Sequence, residues 1–263
     1  MKLKIITSNI TCKTHWKKGT TYIVTNAITV TNTGKLTIDD GVQVALLNGN
    51  TTFGGITFAQ GSRLKAGKIY SYAVGSNYVK AYTANNGGWT FNGTAVAVGG
   101  AVFLRDSKFK LESLVGDYLG NGDATTPVPA ITLNGLKCDE FKVCGLVLSN
   151  GTDADYTAIS ANNVDIKLAV LVINISNSTS TGLSVSNSSI DVSKKFSLLN
   201  PETAFSLTSS TLSISYGAKF VINATNDLTG LTVNTADPRV PAVTSAPYTA
   251  NIKCLRSKTI YFD

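Results

Sequence analysis

Apolar and polar positions alternate in short bursts along this chain, and one burst recurs: a small residue, a large apolar residue, Ser or Thr, then usually another apolar residue. The copies are Ala27-Ile28-Thr29-Val30, Gly55-Ile56-Thr57-Phe58, Gly88-Trp89-Thr90-Phe91, Ala130-Ile131-Thr132-Leu133, Ala158-Ile159-Ser160-Ala161, Gly182-Leu183-Ser184-Val185, Ala204-Phe205-Ser206-Leu207 and Gly230-Leu231-Thr232-Val233. Successive side chains of a strand point to opposite faces, so the second and fourth positions face inward and the hydroxyl outward. Each tetrad therefore predicts a half-buried strand. The copies start 28, 33, 42, 28, 24, 22 and 26 residues apart, the spacing of stacked repeats, none of which can bury its apolar side alone.

Strands stacked this way run parallel, because each repeat returns to the same side before the next begins. A second inward column is predicted at Cys138, Ile166, Ile190 and Leu212, each eight residues after the small residue of its repeat. The fifth positions, Thr31, Ala59, Asn92, Asn134, Asn162, Ser186, Thr208 and Asn234, suit a turn whose polar side chains bond backbone groups and one another. The stretch from Thr33 to Val42 is echoed by Gln60 to Ile69. The expected fold is all-β: a single-domain right-handed parallel β-helix of about eight coils. Its body spans 27–236, with an N-terminal cap at 1–26. A Pro-containing linker and C-terminal strand or cap follows at 237–263, where Pro238, Pro241 and Pro247 break the pattern.

Only 15% of residues are charged while 43% are hydrophobic, so Ser, Thr, Asn and Gly carry the polarity, as suits a dry interior under a hydroxyl-rich surface. No apolar run approaches a membrane span. The apolar stretch near Met1 ends before a signal-peptide core can form, so no secretory leader is expected. Cys12, Cys138, Cys144 and Cys254 show no metal spacing. Seven repeat steps of about 4.8 Å separate the first and last tetrads by roughly 34 Å, so Cys12 and Cys254 pair only if a tail folds back or molecules meet end to end. The net charge of +7 gathers partly at the ends, in Lys2, Lys4, Lys13, Lys17 and Lys18 and in Arg239, Lys253, Arg256 and Lys258. Such charge blocks edge-to-edge aggregation or docks an acidic partner.

The two long intervals predict surface insertions. The first, about 68–87, carries Tyr70, Tyr72, Tyr78 and Tyr82, close to Trp89; aromatic faces of this kind stack on sugar rings or pack on a partner subunit. The second, about 105–129, carries Asp106, Lys108, Glu112, Asp117 and Asp123 beside Arg105. A lyase needs acidic Ca²⁺ ligands next to a basic group that removes a proton, and these five residues are the candidate set for that chemistry. Glycoside hydrolysis needs two carboxyl groups flanking one bond, but Asp39-Asp40 and Asp139-Glu140 read as corners between strands. His15 is the sole histidine, and a solvated or packing role is expected for it. The outward row from Thr29 to Thr232 lacks the second parallel threonine row expected of an ice-binding face.

The repeats from Ala27 to Val233 resemble the right-handed parallel β-helix, or pectate-lyase-like, superfamily, which includes polysaccharide lyases, autotransporter passengers and phage tailspikes. The segment Gly34-Lys35-Leu36-Thr37-Ile38-Asp39-Asp40-Gly41-Val42 is similar to a coil motif of bacterial surface β-helices, whereas the Gly-His-Gly and paired-Asp motifs of the pectin-hydrolysing branch are missing. Fold resemblance does not carry function; a short capped solenoid with no secretory signal, no ordered catalytic constellation and basic ends suited to docking is expected to be a non-catalytic structural or adhesive protein of a virion or extracellular surface. The alternative is a polysaccharide lyase, hydrolase or glycan-binding module with its site between the two insertions. The first reading requires no cofactor; the second brings in Ca²⁺. The expected partners are protein, through self-association as a homotrimer, or glycan, and not nucleic acid.

Overall fold

A computed structural model describes residues 2–95, 105–122, 127–151, 156–175, 180–199, 203–215, 218–223, 232–233 and 251–254. The first strands are β1 (Lys2–Ile6), β2 (Lys13–Trp16), β3 (Thr20–Val24), β4 (Ala27–Val30), β5 (Lys35–Ile38), β6 (Val42–Leu47), β7 (Gly55–Phe58) and β8 (Arg63–Val74). They are followed by β9 (Trp89–Asn92), β10 (Lys108–Asp117), β11 (Ile131–Asn134), β12 (Phe141–Ser149), β13 (Thr157–Asn162) and β14 (Asp165–Asn174). Then come β15 (Thr181–Ser186), β16 (Ser189–Leu199), β17 (Thr203–Thr208), β18 (Thr211–Ile214) and β19 (Lys219–Asn223). Every pairing between these strands is parallel.

The tetrads build one sheet and the intervening strands the other. Seven strands, in the order β17-β15-β13-β11-β9-β7-β4, form the smaller sheet, with Ile131 opposite Ile159, Ile159 opposite Leu183 and Leu183 opposite Phe205. Their second and fourth residues are buried, from Ile28 and Val30 to Phe205 and Leu207, as the alternation predicts. Of the eighth tetrad only Thr232 and Val233 are described; they pair with Asn251 and Ile252 in the larger, fourteen-stranded sheet instead of extending the smaller one. Most of 237–263 lies outside the described residues.

In the larger sheet, β5 and β6 both pair with β8, through Leu36–Leu64 and Val42–Ile69. The two short strands are separated by the corner Asp39-Asp40-Gly41, where Gly41 adopts φ 73°. From β8 to β16 that corner is absent and each repeat runs through it as one long strand, whereas β18 and β19 pair with β16 as two separate strands again. Gly67 is needed at the crossing, since a Cβ there would lie 2.7 Å from Cβ of Asp40. A register shift between Leu168 and Val170 absorbs one extra residue of β16. The expected insertions at 68–87 and 105–129 are thus corrected: Lys68–Val74 and Lys108–Asp117 are strands inside this sheet. Residues 2–16 likewise add strands in register, β1 on β3 and β2 on β5, with Ile10 bridging Val30.

Both sheets share one core. Phe58 stacks on Phe91 at 5.1 Å, and Phe91 meets Phe109 and Phe141 of the other sheet edge-on at 5.4 Å. Trp89 is fully buried and donates its indole N–H to Ser71 Oγ at 2.9 Å, which removes it from the aromatic surface expected for ligand contact. Cys138 is also corrected. It sits half-buried in a turn closed by Lys137 O accepting from the N–H of Glu140 and of Phe141. Phe141, three residues on, fills the core instead, opposite Phe109. A phenyl ring buries far more apolar area than a thiol, so the longer turn is favoured.

The polar turn column is present. Asn134 Nδ2 donates to Asn92 Oδ1 at 3.0 Å and Ser186 Oγ to Asn162 Oδ1 at 3.0 Å, and the next column satisfies backbone through Ser188 and Ser210. These bonds occupy turn groups that strand pairing leaves open.

Candidate functional site

Two regions on the outside of the larger sheet gather chemistry. The first is a tyrosine corner. Period-two spacing puts Tyr70 and Tyr72 on the same face of β8, where their rings stack at 5.2 Å. Tyr72 OH donates to Gln43 Oε1 at 3.3 Å, and Thr21 Oγ1 reaches the same oxygen at 3.4 Å. Behind them Ile23, Ala45 and Val74 make a small apolar cluster separate from the main core. Burial, and then the neighbouring Tyr70, push the Tyr72 phenol above its ordinary pKa.

Asp117, at the end of β10 and opposite Tyr72 in register, anchors this corner. Its carboxylate accepts from Lys80 Nζ at 2.7 Å, Asn150 Nδ2 at 2.8 Å and Tyr70 OH at 3.3 Å. Lys80 also donates to Tyr70 OH at 3.1 Å and lies 5.7 Å from the centre of the Tyr82 ring. The bonds to Asp117 and Tyr70 hold the Lys80 ammonium well above the ordinary lysine pKa. Tyr82, 71% exposed, meets Tyr118 edge-on at 5.8 Å. Tyr78 and Tyr118 hold φ of 61° and 54°, a left-handed conformation that bulky residues rarely adopt. Of the predicted aromatic set, the fold brings Tyr70, Tyr72 and Tyr82 together and leaves Tyr78 exposed on the adjoining turn.

The predicted acidic set does not converge. Asp106, Lys108 and Glu112 are exposed along the start of β10, and at about 3.3 Å per residue Glu112 lies roughly 16 Å along the strand from Asp117. One Ca²⁺ ion draws ligands within about 2.6 Å of itself, so these residues hold no common ion. Asp123 lies outside the described residues. Glu112 pairs with Lys68 at 3.4 Å, both more than half exposed. Among the described residues no three His, Cys, Asp or Glu side chains sit close enough to hold a metal.

The corner readings of the other acids agree with their contacts. Asp39 accepts from His15 Nε2 at 2.6 Å and Lys18 N at 3.0 Å, and these bonds lower its pKa; Asp40 Oδ1 accepts from Lys68 N at 2.8 Å. Glu140 is buried and takes Thr94 N at 2.9 Å, the Thr94 hydroxyl and Lys137 N at 3.2 Å. Thr94 Oγ1 in turn accepts from Ser107 N at 3.0 Å. Arg105, grouped with the acidic set by sequence, instead donates to the carbonyls of Asn32, Gly61 and Gly34. Cys138 Sγ faces Asp165 Oδ1 at 3.7 Å; burial, then that carboxylate, raise its pKa and disfavour the thiolate.

The second region is a band of cations that sequence reasoning missed. Lys13, Lys35, Arg63 and Lys108 are opposite one another on β2, β5, β8 and β10. Two residues along, Lys65, Lys110 and Lys142 form a parallel column on β8, β10 and β12. Lys167 of β14 lies beside Lys142 on a shared groove of about 780 Å³, with Phe141, Val143 and Ala169 in its lining. The available signal was the basic-apolar-basic triplet, Arg63-Leu64-Lys65 and Lys108-Phe109-Lys110, in which an inward residue sits between two outward cations.

Among the described residues no helix is long and apolar enough to cross a membrane. Compared with family models, curated proteins and solved structures, the chain finds no match in any of the three.

Proposed function

We propose that this chain is a right-handed parallel β-helix of about eight coils, with its body at 27–236. In this reading it acts as a non-catalytic structural or adhesive component of a virus particle or extracellular assembly and associates with further copies of itself. The observation that carries the reading is the continuous parallel stack with one shared core, in which the candidate acids among the described residues are spread along a strand or engaged in corner bonds. Such a stack is stiff and long relative to its width, which suits a spacer or fibre segment. No cofactor enters this reading.

The tyrosine corner supports the second reading, a glycan-binding module, because Tyr82 exposes a ring beside a charged hydrogen-bonding group. Incubation with neutral and acidic polysaccharides, with and without Ca²⁺, separates adhesion from catalysis. The expected result is no new reducing or unsaturated ends, together with a trimeric mass under native conditions. Release of such ends, or a monomer carrying bound metal, overturns the proposal.

A further inference from the structure

The geometry points to the cation band as a binding surface for a linear acidic glycan, one bearing carboxylate or sulfate groups. This inference names the ligand class for the adhesive reading above and rests on it. Lys13, Lys35, Arg63 and Lys108 make one column and Lys65, Lys110, Lys142 and Lys167 the other. Neighbouring strands lie about 4.8 Å apart and alternate residues along a strand roughly 6.6 Å. The two columns overlap on β8 and β10, so the band crosses six strands obliquely over about 24 Å.

Like charges directly opposite one another on adjacent strands oppose folding. A chain relieves this by interleaving acids, and elsewhere this one does: Lys68 meets Glu112, Lys80 meets Asp117 and His15 meets Asp39. Among the described residues none of the eight band cations forms an ion pair. An opposing carboxylate enters the second column only at Asp191, across from Lys167. The band is a row of charges whose counter-charge is supplied from outside.

Three features select the ligand. The charges follow a straight line at a spacing close to the length of one sugar ring, so a polymer with an acid on each ring or every second ring meets them repeatedly. No aromatic ring is exposed between the columns, whereas single-stranded nucleic acid is held by bases stacked on such rings. Seven of the eight are lysines, point charges that suit dispersed anions better than the bidentate phosphate contacts typical of arginine. The adjoining groove offers the small apolar surfaces of Ala66 and Ala169 between Lys110, Lys142 and Lys167, with the acids Glu112 and Asp191 also in its lining.

Binding to heparin and to alginate is measured by calorimetry across a salt series, with neutral dextran, oligo(dT) and phosphatidylserine vesicles as comparators. Micromolar binding to heparin or alginate, weak binding to the comparators and a steep fall with salt are expected. The triple variant Lys65→Gln, Lys110→Gln, Lys142→Gln is expected to lose roughly tenfold or more in affinity, and the slope of log K against log salt to fall by about two to three. A matched variant, Lys2→Gln, Lys4→Gln, Lys17→Gln, keeps wild-type binding. Absence of binding to either glycan, equal affinity for oligo(dT) or vesicles, or equal losses in both triple variants overturns the inference. Binding accompanied by cleavage leaves this inference standing and removes the non-catalytic reading; no binding and no cleavage does the reverse.

Discussion

The corner around Lys80 and the band from Lys13 to Lys167 occupy one face of one sheet and use the same functional group in opposite ways. Lys80 is folded into its surroundings: a carboxylate, a phenol and two rings lie within its reach. Six of the seven band lysines are exposed, Lys35 partly so, and each has at least one cation beside it on a neighbouring strand or across the groove. An ammonium that is satisfied internally fixes a conformation. One that is left unsatisfied in a row destabilises the fold slightly and remains available to a partner.

Removing the internal partner has the largest expected effect. Asp117→Ala leaves Lys80, Tyr70 and Asn150 without their shared acceptor and is expected to destabilise the protein by about 1–3 kcal/mol, seen as a fall of several degrees in Tm. Adding Lys80→Met to that variant is expected to recover part of the loss, because it removes a partly exposed ammonium left without its carboxylate. A Tm unchanged by Asp117→Ala would erase the distinction between the two regions.

The band has the opposite sign and a smaller size. The variant Lys65→Gln, Lys110→Gln, Lys142→Gln is expected to gain about 0.2–1 kcal/mol at low ionic strength. That gain vanishes near 1 M salt, where charges screen within about 3 Å. Thermal melts at the two salt concentrations check it, and a variant that melts below the wild type at low salt contradicts it.

The smallest effect concerns Asp39, whose pKa is lowered by His15 and the Lys18 N–H. A carboxyl with a depressed folded-state pKa contributes stability above its unfolded value, near 3.8, and loses it as pH falls through the folded value. Asp39→Asn is therefore expected to flatten the acid limb of the stability profile below about pH 4 and to leave the neutral region nearly unchanged. Acid melts of the two proteins that superimpose would count against this.

The tetrads were legible because alternation writes the inward face directly into the sequence: Ile131, Ile159, Leu183 and Phe205 are predicted inward and are buried. Counting residues failed where loop length changed. Cys138 satisfies a spacing of eight, but a three-residue extension of its turn hands the core position to Phe141. The long intervals suggested insertions at 68–87 and 105–129, but the starts of both stretches are sheet; strands as long as β8 and β10 also occur in the short repeats as β14 and β16, so the extra residues lie in the connections that follow the strands. The tyrosines were visible as a cluster; their anchor Asp117 was visible only as one acid among several. The cation band was hidden for a different reason. Its neighbours are between 22 and 45 residues apart, and uneven repeat lengths leave no fixed interval by which to align them.

The knot formed by Glu140, Thr94 and Ser107 has a practical consequence. It ties together the two chain ends that bracket residues 96–104, with Ser107 N only 3.0 Å from Thr94 Oγ1, and roots them on a carboxylate belonging to the next repeat. Ser107 Oγ also donates to Asn92 O at 2.9 Å, so the end of β9 and the approach to β10 are held to each other by side-chain bonds. Glu140 thus serves as a clasp between repeats, fixing the spacing of two strands through a carboxylate that neither of them carries.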